Sequence, residues 1–287
     1  KSESRGLSEQ SNRIEMKFTI LKKYLLLEAA AEVMVLGYYG IESVFPPYEN
    51  NDQPAVTTQL ESLQKGFKPI FDGKTLDGWE GDPAYWSVKD GSIVGTITPE
   101  TLLKANTFLI WTGGEVADFE LKGEFRISES GNSGINYRSD RVAEVPYALR
   151  GYQADIDGKN TYTGQNYEER KRATLAYRGQ QTRITSQPAD VPNLGDFVER
   201  NAWNGLNLEK ELGDRAELGS KIKKEDWNTV HLIVKGNVMQ HYVNGILMSE
   251  VHDEDAKNRM KSGLLGVQVH VGPPMKVEYR GLMLKEM

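Results

Sequence analysis

Residues 118–128 read DFELKGEFRIS. Phe119, Leu121, Gly123, Phe125 and Ile127 alternate with charged residues, and a period of two places the apolar side chains on one face of a strand. This is a strand with one face on a core and the other in water. The stretches around it repeat the pattern. TVHLIVKGNVMQHYVNGILMSEV, residues 229–251, is a meander with turns at Lys235–Gly236–Asn237 and Asn244–Gly245. YWSVKDGSIVGTI, residues 85–97, is a hairpin turning at Asp90–Gly91. KPIFDGKTLDGW (68–79) has short apolar pieces between Asp-Gly turns. SGINYRS (133–139), YALRGYQADID (147–157), GLLGVQVHV (263–271) and KVEYRGLMLK (276–285) are further strands. Strands joined by Gly-rich turns, without βα alternation, predict an all-β chain built as an antiparallel β-sandwich or jelly roll.

One stretch departs from the pattern. Residues 188–226 are charged, with unevenly spaced leucines, and are expected to form a short, partly helical insertion. The first 43 residues form an N-terminal extension, helical or disordered. Residues 16–40, MKFTILKKYLLLEAAAEVMVLGYYG, have the basic start and apolar run of a secretory signal, but Glu28 and Glu32 interrupt the run. The alternative is an amphipathic helix. Either way the stretch is too charged for a stable membrane span. Residues 44–66, rich in proline and amides, are expected to be a linker, and 67–287 the sandwich domain.

The chain has 287 residues, a formal net charge of −6 and a sequence pI near 5.5. That balance argues against nucleic acid as the partner, since phosphate contacts need a basic face. It leaves a neutral carbohydrate open. There is no cysteine, which excludes disulfides and thiolate metal sites. No HExxH motif or Cys/His spacing occurs, so no structural metal and no cofactor are expected. A divalent ion on Asp155, Glu168 and His270 is left open.

The polar strand faces carry the candidate chemistry. In RGYQADIDG (150–158), Gln153, Asp155 and Asp157 share one face, and Tyr152, Ala154 and Ile156 the other. Asp is depleted in strand interiors, which singles out Asp155, whereas Asp157 before Gly158 is expected to start a turn. A retaining glycosidase needs two carboxylates flanking the bond, and Gln153 cannot be the nucleophile. In SGNSGINYRS (130–139), Asn136 and Arg138 are expected to share a face, and the Arg fork suits hydroxyls or a carboxylate. YTGQNYEERKR (162–172) is dense in polar groups around Tyr167. In GVQVHVGPP (266–274), Gln268 and His270 alternate with valines, and His suits proton transfer near neutral pH. His231 and His241 are expected on meander strands and His252 in a loop.

These blocks, from FKPIFDGKTLDGW (67–79) through DFELKGEFRI, GNSGINYRS, GYQADID and DWNTVHLIVKGN (226–237) to GLLGVQVHVGPPMKVEYRGLMLK (263–285), occur in an order that resembles the 3-keto-disaccharide hydrolase domain family. The resemblance implies a concanavalin-like sandwich whose concave sheet faces a sugar. It implies an exported bacterial protein, periplasmic or secreted, that cleaves glycosides already oxidised to a ketone at the third sugar carbon. A base removes the hydrogen on the second carbon, the aglycone is eliminated, and water adds. The resemblance places Asn132, Arg138, Gln153, Asp155, Gln268 and His270 in the cleft; Tyr167 is read separately, from its aromatic face, as a stacking partner for a sugar ring. His270 or Asp155 is expected to be the base, Arg138 or Gln153 the donor to the enolate oxygen, and Glu168 the acid or a metal ligand. A non-catalytic glycan-binding sandwich is the alternative, and a conventional glycoside hydrolase a weaker one. The oligomeric state is not readable.

Overall fold

The computed structural model describes residues 65–187 and 193–287. The expected extension and nearly all of the expected linker lie outside the described residues. The strands are β1 (Lys68–Pro69), β2 (Trp79–Glu80), β3 (Trp86–Lys89), β4 (Ser92–Ile97), β5 (Thr107–Trp111), β6 (Phe119–Ile127), β7 (Asn132–Arg141), β8 (Leu149–Asp157), β9 (Asn166–Glu169), β10 (Ala173–Ala176), β11 (Gln180–Ile184), β12 (Val198–Glu199), β13 (Ala202–Trp203), β14 (Leu206–Glu211), β15 (Asn228–Lys235), β16 (Val238–Val243), β17 (Ile246–Asp253), β18 (Leu264–Val269) and β19 (Met275–Glu286). They form two sheets. One has the order β14-β11-β17-β16-β15-β6-β19-β4-β3, with β1 also on β19. The other runs β12-β13-β10-β9-β8-β7-β18-β5-β2.

The alternation in DFELKGEFRIS is realised as expected: Phe119, Leu121, Phe125 and Ile127 are buried on the inner face of β6. Gly123 leaves room for Leu282, whose Cδ2 would lie 2.7 Å from a Cβ there. The hairpin turn at Asp90–Gly91 has both residues in the left-handed region, at φ 50° and 74°, the geometry that matches strand twist. The second sheet contributes Ile135, Tyr137, Tyr152, Ala154, Ile156, Val267 and Val269 to the same core. Tyr137 and Tyr152 stack with ring centroids 5.6 Å apart. Burying each large side chain is worth about 1.5–3 kcal/mol, so the continuous inter-sheet layer holds the fold.

Three details differ from expectation. The sandwich is mostly antiparallel, but β11 pairs with β17, and β10 with β13, in parallel. The insertion does carry a 3-10 turn at Leu194–Phe197 and a short helix, α1 (Arg215–Ser220), capped by Asp214. It also supplies β14, which extends the first sheet by pairing with β11. His252 lies on β17 rather than in a loop, because the third meander strand runs on to Asp253. Among the described residues no helix is long and apolar enough to cross a membrane.

Candidate active site

The outer face of the second sheet is polar where β9, β8, β7 and β18 lie side by side. The ladder registers Gly134 with Asp155, and Asn136 with both Gln153 of β8 and Gly266 of β18. Gln153 in turn faces Tyr167 of β9. Alternation therefore brings Asn136, Gln153, Asp155, Tyr167, Glu169 and Gln268 to one face.

An amide chain crosses this face. Gln268 Nε2 donates to Gln153 Oε1 at 3.1 Å. Gln153 Nε2 donates to Asp155 Oδ1, and Gln165 Nε2 to Asp155 Oδ2, both at 2.5 Å. Gln153 reaches across β7 because Gly134 lies beneath it. A Cβ on Gly134 would sit 2.5 Å from Gln153 Cγ and 2.8 Å from its Nε2. Gly134→Ala is thus expected to push Gln153 off both partners. Turnover should fall at least about tenfold, with a stability loss of only ~1–3 kcal/mol from overpacking. Parallel activity and thermal-unfolding measurements check it; unchanged activity would show that Gln153 needs neither contact.

Asp155 is 8 % exposed. Burial pushes its carboxyl up to about 7; the two amide donors pull it down, and the nearby Glu169 and Asp157 charges push it up again. Glu169 is also raised, chiefly by burial. Asn106, Arg170, His270 and Gln268 oppose the rise. Tyr167 is pushed up to about 12 by burial and by Glu169 and Asp155. These shared effects place Glu169 among Asp155, Tyr167, His270 and Gln268.

The sheet is curled over this row. Asn106, leading into β5, donates from Nδ2 to Glu169 Oε1 on β9 at 3.0 Å. The Phe108 N–H donates to the Tyr147 carbonyl at 3.0 Å, and Phe108 and Ile110 pack with Leu149 of β8. β5 and β9 are four places apart in the strand order. In a flat sheet that separation would be ~19 Å. The curl brings the two rims together and leaves Asn136 and Gln268 without exposed surface. It also joins a polar row to an apolar strip, the two textures of a sugar ring.

His270 follows the end of β18, and its N–H donates to the Asn132 carbonyl at 3.2 Å. Its Nδ1 lies 2.6 Å from the Val271 carbonyl. A carbonyl only accepts, so Nδ1 carries a proton and donates to it. Asn132 is half-buried at the start of β7. Asp157 does organise a turn: its Oδ1 accepts from the Tyr162 and Thr163 N–H groups.

Two expected site residues lie elsewhere. Arg138 does not share the face of Asn136. A register shift between Tyr137 and Asp140 puts a bulge in β7, and Arg138 sits in it at φ 45°. A bulge re-aims the side chain. The guanidinium is buried and donates to the Ala117 and Gly236 carbonyls and to Asp118, so it holds the ends of strands together. Glu168 is adjacent to Tyr167 and Glu169 on β9, so strand parity turns it inward. It is fully buried, bonded to Arg172 Nε at 2.5 Å and to Lys171 Nζ at 3.2 Å. Arg172 also holds Asp253 (2.7 Å) and Asp255 (3.3 Å), and the Tyr152 hydroxyl donates to Asp253 at 2.6 Å. That cluster belongs to the interior between the sheets, which also separates Glu168 from the metal set considered with Asp155. Among the described residues no cluster of His, Asp and Glu is placed to hold a metal.

Glu169, Gln165 and Asn106 complete the face instead. Parity along NYEE would have selected Glu169, since it shares a face with Tyr167. Nothing local marks Asn106, which arrives only through the curl.

The chain's relatives bear on what this buried polar row does. Residues 66–285 match the 3-keto-alpha-glucoside-1,2-lyase-like domain, and the chain belongs to that family. It is similar to a 3-keto-disaccharide hydrolase of Bacteroides thetaiotaomicron, with 35% identity over 96 residues. That match covers 29% of this chain and 33% of the relative, so the chain spans about a third of the length of the curated relative it matches. Among solved structures it resembles a protein of Parabacteroides distasonis named provisionally as a glycosyl hydrolase. That likeness has a TM-score of 0.49 and 18% identity, over 79% of this chain and 96% of that one. It also resembles the carbohydrate binding module CBM66 of Bacillus subtilis, at a TM-score of 0.45 and 14% identity, over 73% of this chain and 96% of that one.

Proposed function

We propose that the protein cleaves 3-keto-glycosides by elimination followed by hydration. The observation that carries this reading is Asp155: a carboxyl held between two glutamine amides, with its proton affinity brought to about neutrality. A base of that strength suits removal of a hydrogen next to a ketone, and needs no partner nucleophile. Asp155 takes the proton from the second sugar carbon, and the C–H electron pair moves into the enolate of the ketone. The enolate expels the anomeric oxygen, which gains a proton from Glu169. Raised by burial, Glu169 is suited to hold that proton. Water then adds its oxygen to the anomeric carbon. Its proton goes to Glu169, and Asp155 returns its own proton to the second carbon. Both side chains are restored and the net change is hydrolysis. His270, at the end of β18, orients a sugar hydroxyl at the mouth, and Tyr167 offers a ring face.

Incubation with a 3-keto-glucoside carrying a chromogenic aglycone is expected to release the aglycone, while the unoxidised glucoside stays intact. Binding of the sugar without release would reduce the protein to a glycan-binding module. His270→Ala is expected to raise KM about 3- to 10-fold with a smaller effect on kcat, as loss of one hydroxyl contact would. A large fall in kcat with KM unchanged would instead make His270 the base.

A further inference from the structure

The amide of Asn136 is the residue the fold leaves unexplained. It is buried with no exposed surface, and neither Nδ2 nor Oδ1 has a hydrogen-bond partner. Among the described residues it is the one amide with both polar atoms stranded in this way; the Thr174 and Ser249 hydroxyls are also without partners. Buried polar groups are normally paired, and an unpaired one is costly. Each neighbouring amide of the row has at least one partner, although Gln165 Oε1 and Gln268 Oε1 accept nothing: Gln153 bonds Asp155 and Gln268, and Gln165 bonds Asp155. Asn136 lies inside the curl, registered with Gln153 on one side and Gly266 on the other. Leu149 Cδ1 covers Gly266, lying 3.0 Å from where its Cβ would be. The amide is therefore at the seam between the polar row and the apolar strip.

We infer that Asn136 recognises an α-hydroxyketone, its Nδ2–H donating to the carbonyl oxygen while its Oδ1 accepts from the adjacent hydroxyl. The inference rests on the keto-glycoside reading and names the group that selects the oxidised sugar. A carboxamide offers one donor and one acceptor side by side, and an α-hydroxyketone offers the complement. Asp155 is the diagonal neighbour of Asn136 across the β7–β8 ladder, where Cα atoms are ~7–8 Å apart. That span fits a ketone oxygen on one side chain and the hydrogen of the adjoining carbon on the other. The donor then faces the oxygen on which the enolate charge develops, which makes Asn136 a catalytic residue as well as a selective one. Entry requires the rims to part. They are closed by the Asn106–Glu169 bond, the Phe108–Tyr147 bond and the apolar strip. The segment bearing Tyr147 also borders an open surface groove of about 350 Å³, lined by Glu80 and Arg141 among others.

The test uses 3-keto-1,5-anhydroglucitol, which has the ketone and its flanking hydroxyls but no aglycone to lose, alongside unoxidised 1,5-anhydroglucitol. Calorimetric titration of the wild type is expected to show binding of the ketone and at least about tenfold weaker binding of the alcohol. Asn136→Leu removes both polar atoms at similar volume. It is expected to weaken ketone binding by at least about tenfold while raising the unfolding midpoint by about 2–4 °C, because a stranded amide is gone. A destabilised Asn136→Leu would mean that the amide serves the fold, and would overturn the assignment. Asn136→Asp keeps the shape and removes the donor; ketone binding equal to wild type in that variant would overturn it too. Wild-type protein that binds neither compound would sink the keto-glycoside reading and this assignment together. Wild type that binds both alike would sink only the selectivity assigned to Asn136.

Discussion

Asp155→Asn is expected to lower aglycone release from a 3-keto-glucoside by about 10²- to 10⁴-fold, the usual contribution of a positioned base. Two further signatures separate this from a general disturbance of the site. Wild-type turnover should rise with pH towards about 7, because only ionised Asp155 accepts a proton, and fall again as Glu169 loses the proton it donates. The residual activity of the variant should lack the rising limb. The second signature is in stability. The folded value of the Asp155 carboxyl, about 7, lies above its ordinary value of 3.8. The native state therefore keeps a proton that the unfolded chain has released. Stability from this group is complete below 3.8, falls as pH rises to about 7, and stays low above. Asp155→Asn removes the penalty. The gain in unfolding midpoint over wild type should be larger at pH 8 than at pH 4. A variant that is inactive and also less stable at pH 8 would mean that Asp155 supports the sheet, not the chemistry.

Arg172→Met is expected to have the largest effect on folding. Burial alone would favour the neutral form of this guanidinium, but Glu168 and Asp253 outweigh it and hold it charged. Its loss leaves Glu168 with Lys171 alone and takes the Arg172 charge from Asp253 and Asp255, which keep neutral donors, Tyr152 for Asp253 and Ser186 and Asn258 for Asp255. Breaking a buried ion cluster from one side costs about 3–5 kcal/mol, against a total of about 5–15 kcal/mol for a domain. Urea titration should show the midpoint collapse. Adding Glu168→Gln and Asp253→Asn to Arg172→Met should restore much of it, since removing the opposing charges removes the penalty. An unchanged midpoint in the single variant would mean that water or neutralised carboxyls already satisfy the cluster.

The split between what the sequence disclosed and what it hid follows from the range of each physical rule. Alternation is local, and it placed Gln153 and Asp155 opposite Tyr152 and Ala154, and Gln268 opposite Val267 and Val269. The same rule, applied through a bulge, misdirected Arg138, because an extra residue in β7 resets the parity and SGINYRS carries no mark of it. Glu168 was a different matter: parity with Tyr167 was there to be read, and the charge density of YEERKR obscured it. Asn106 and the stranded Asn136 depend on how far the sheet curls. Curvature sums over several strands and has no signature in any one of them. The glycine at 134 is the nearest thing to a clue, since it lets a long amide cross the strand.

The position of β19 has a consequence for how the domain is made. It lies between β6 and β4, and β1 rests on its outer end, with Lys68 opposite Leu284. The last strand of the domain is thus an interior plank of its sheet. Until it emerges from the ribosome, β6 and β4 have exposed edges facing a vacant slot, and the sandwich cannot close from one end to the other. Closure of this sheet must therefore wait for synthesis of the whole domain.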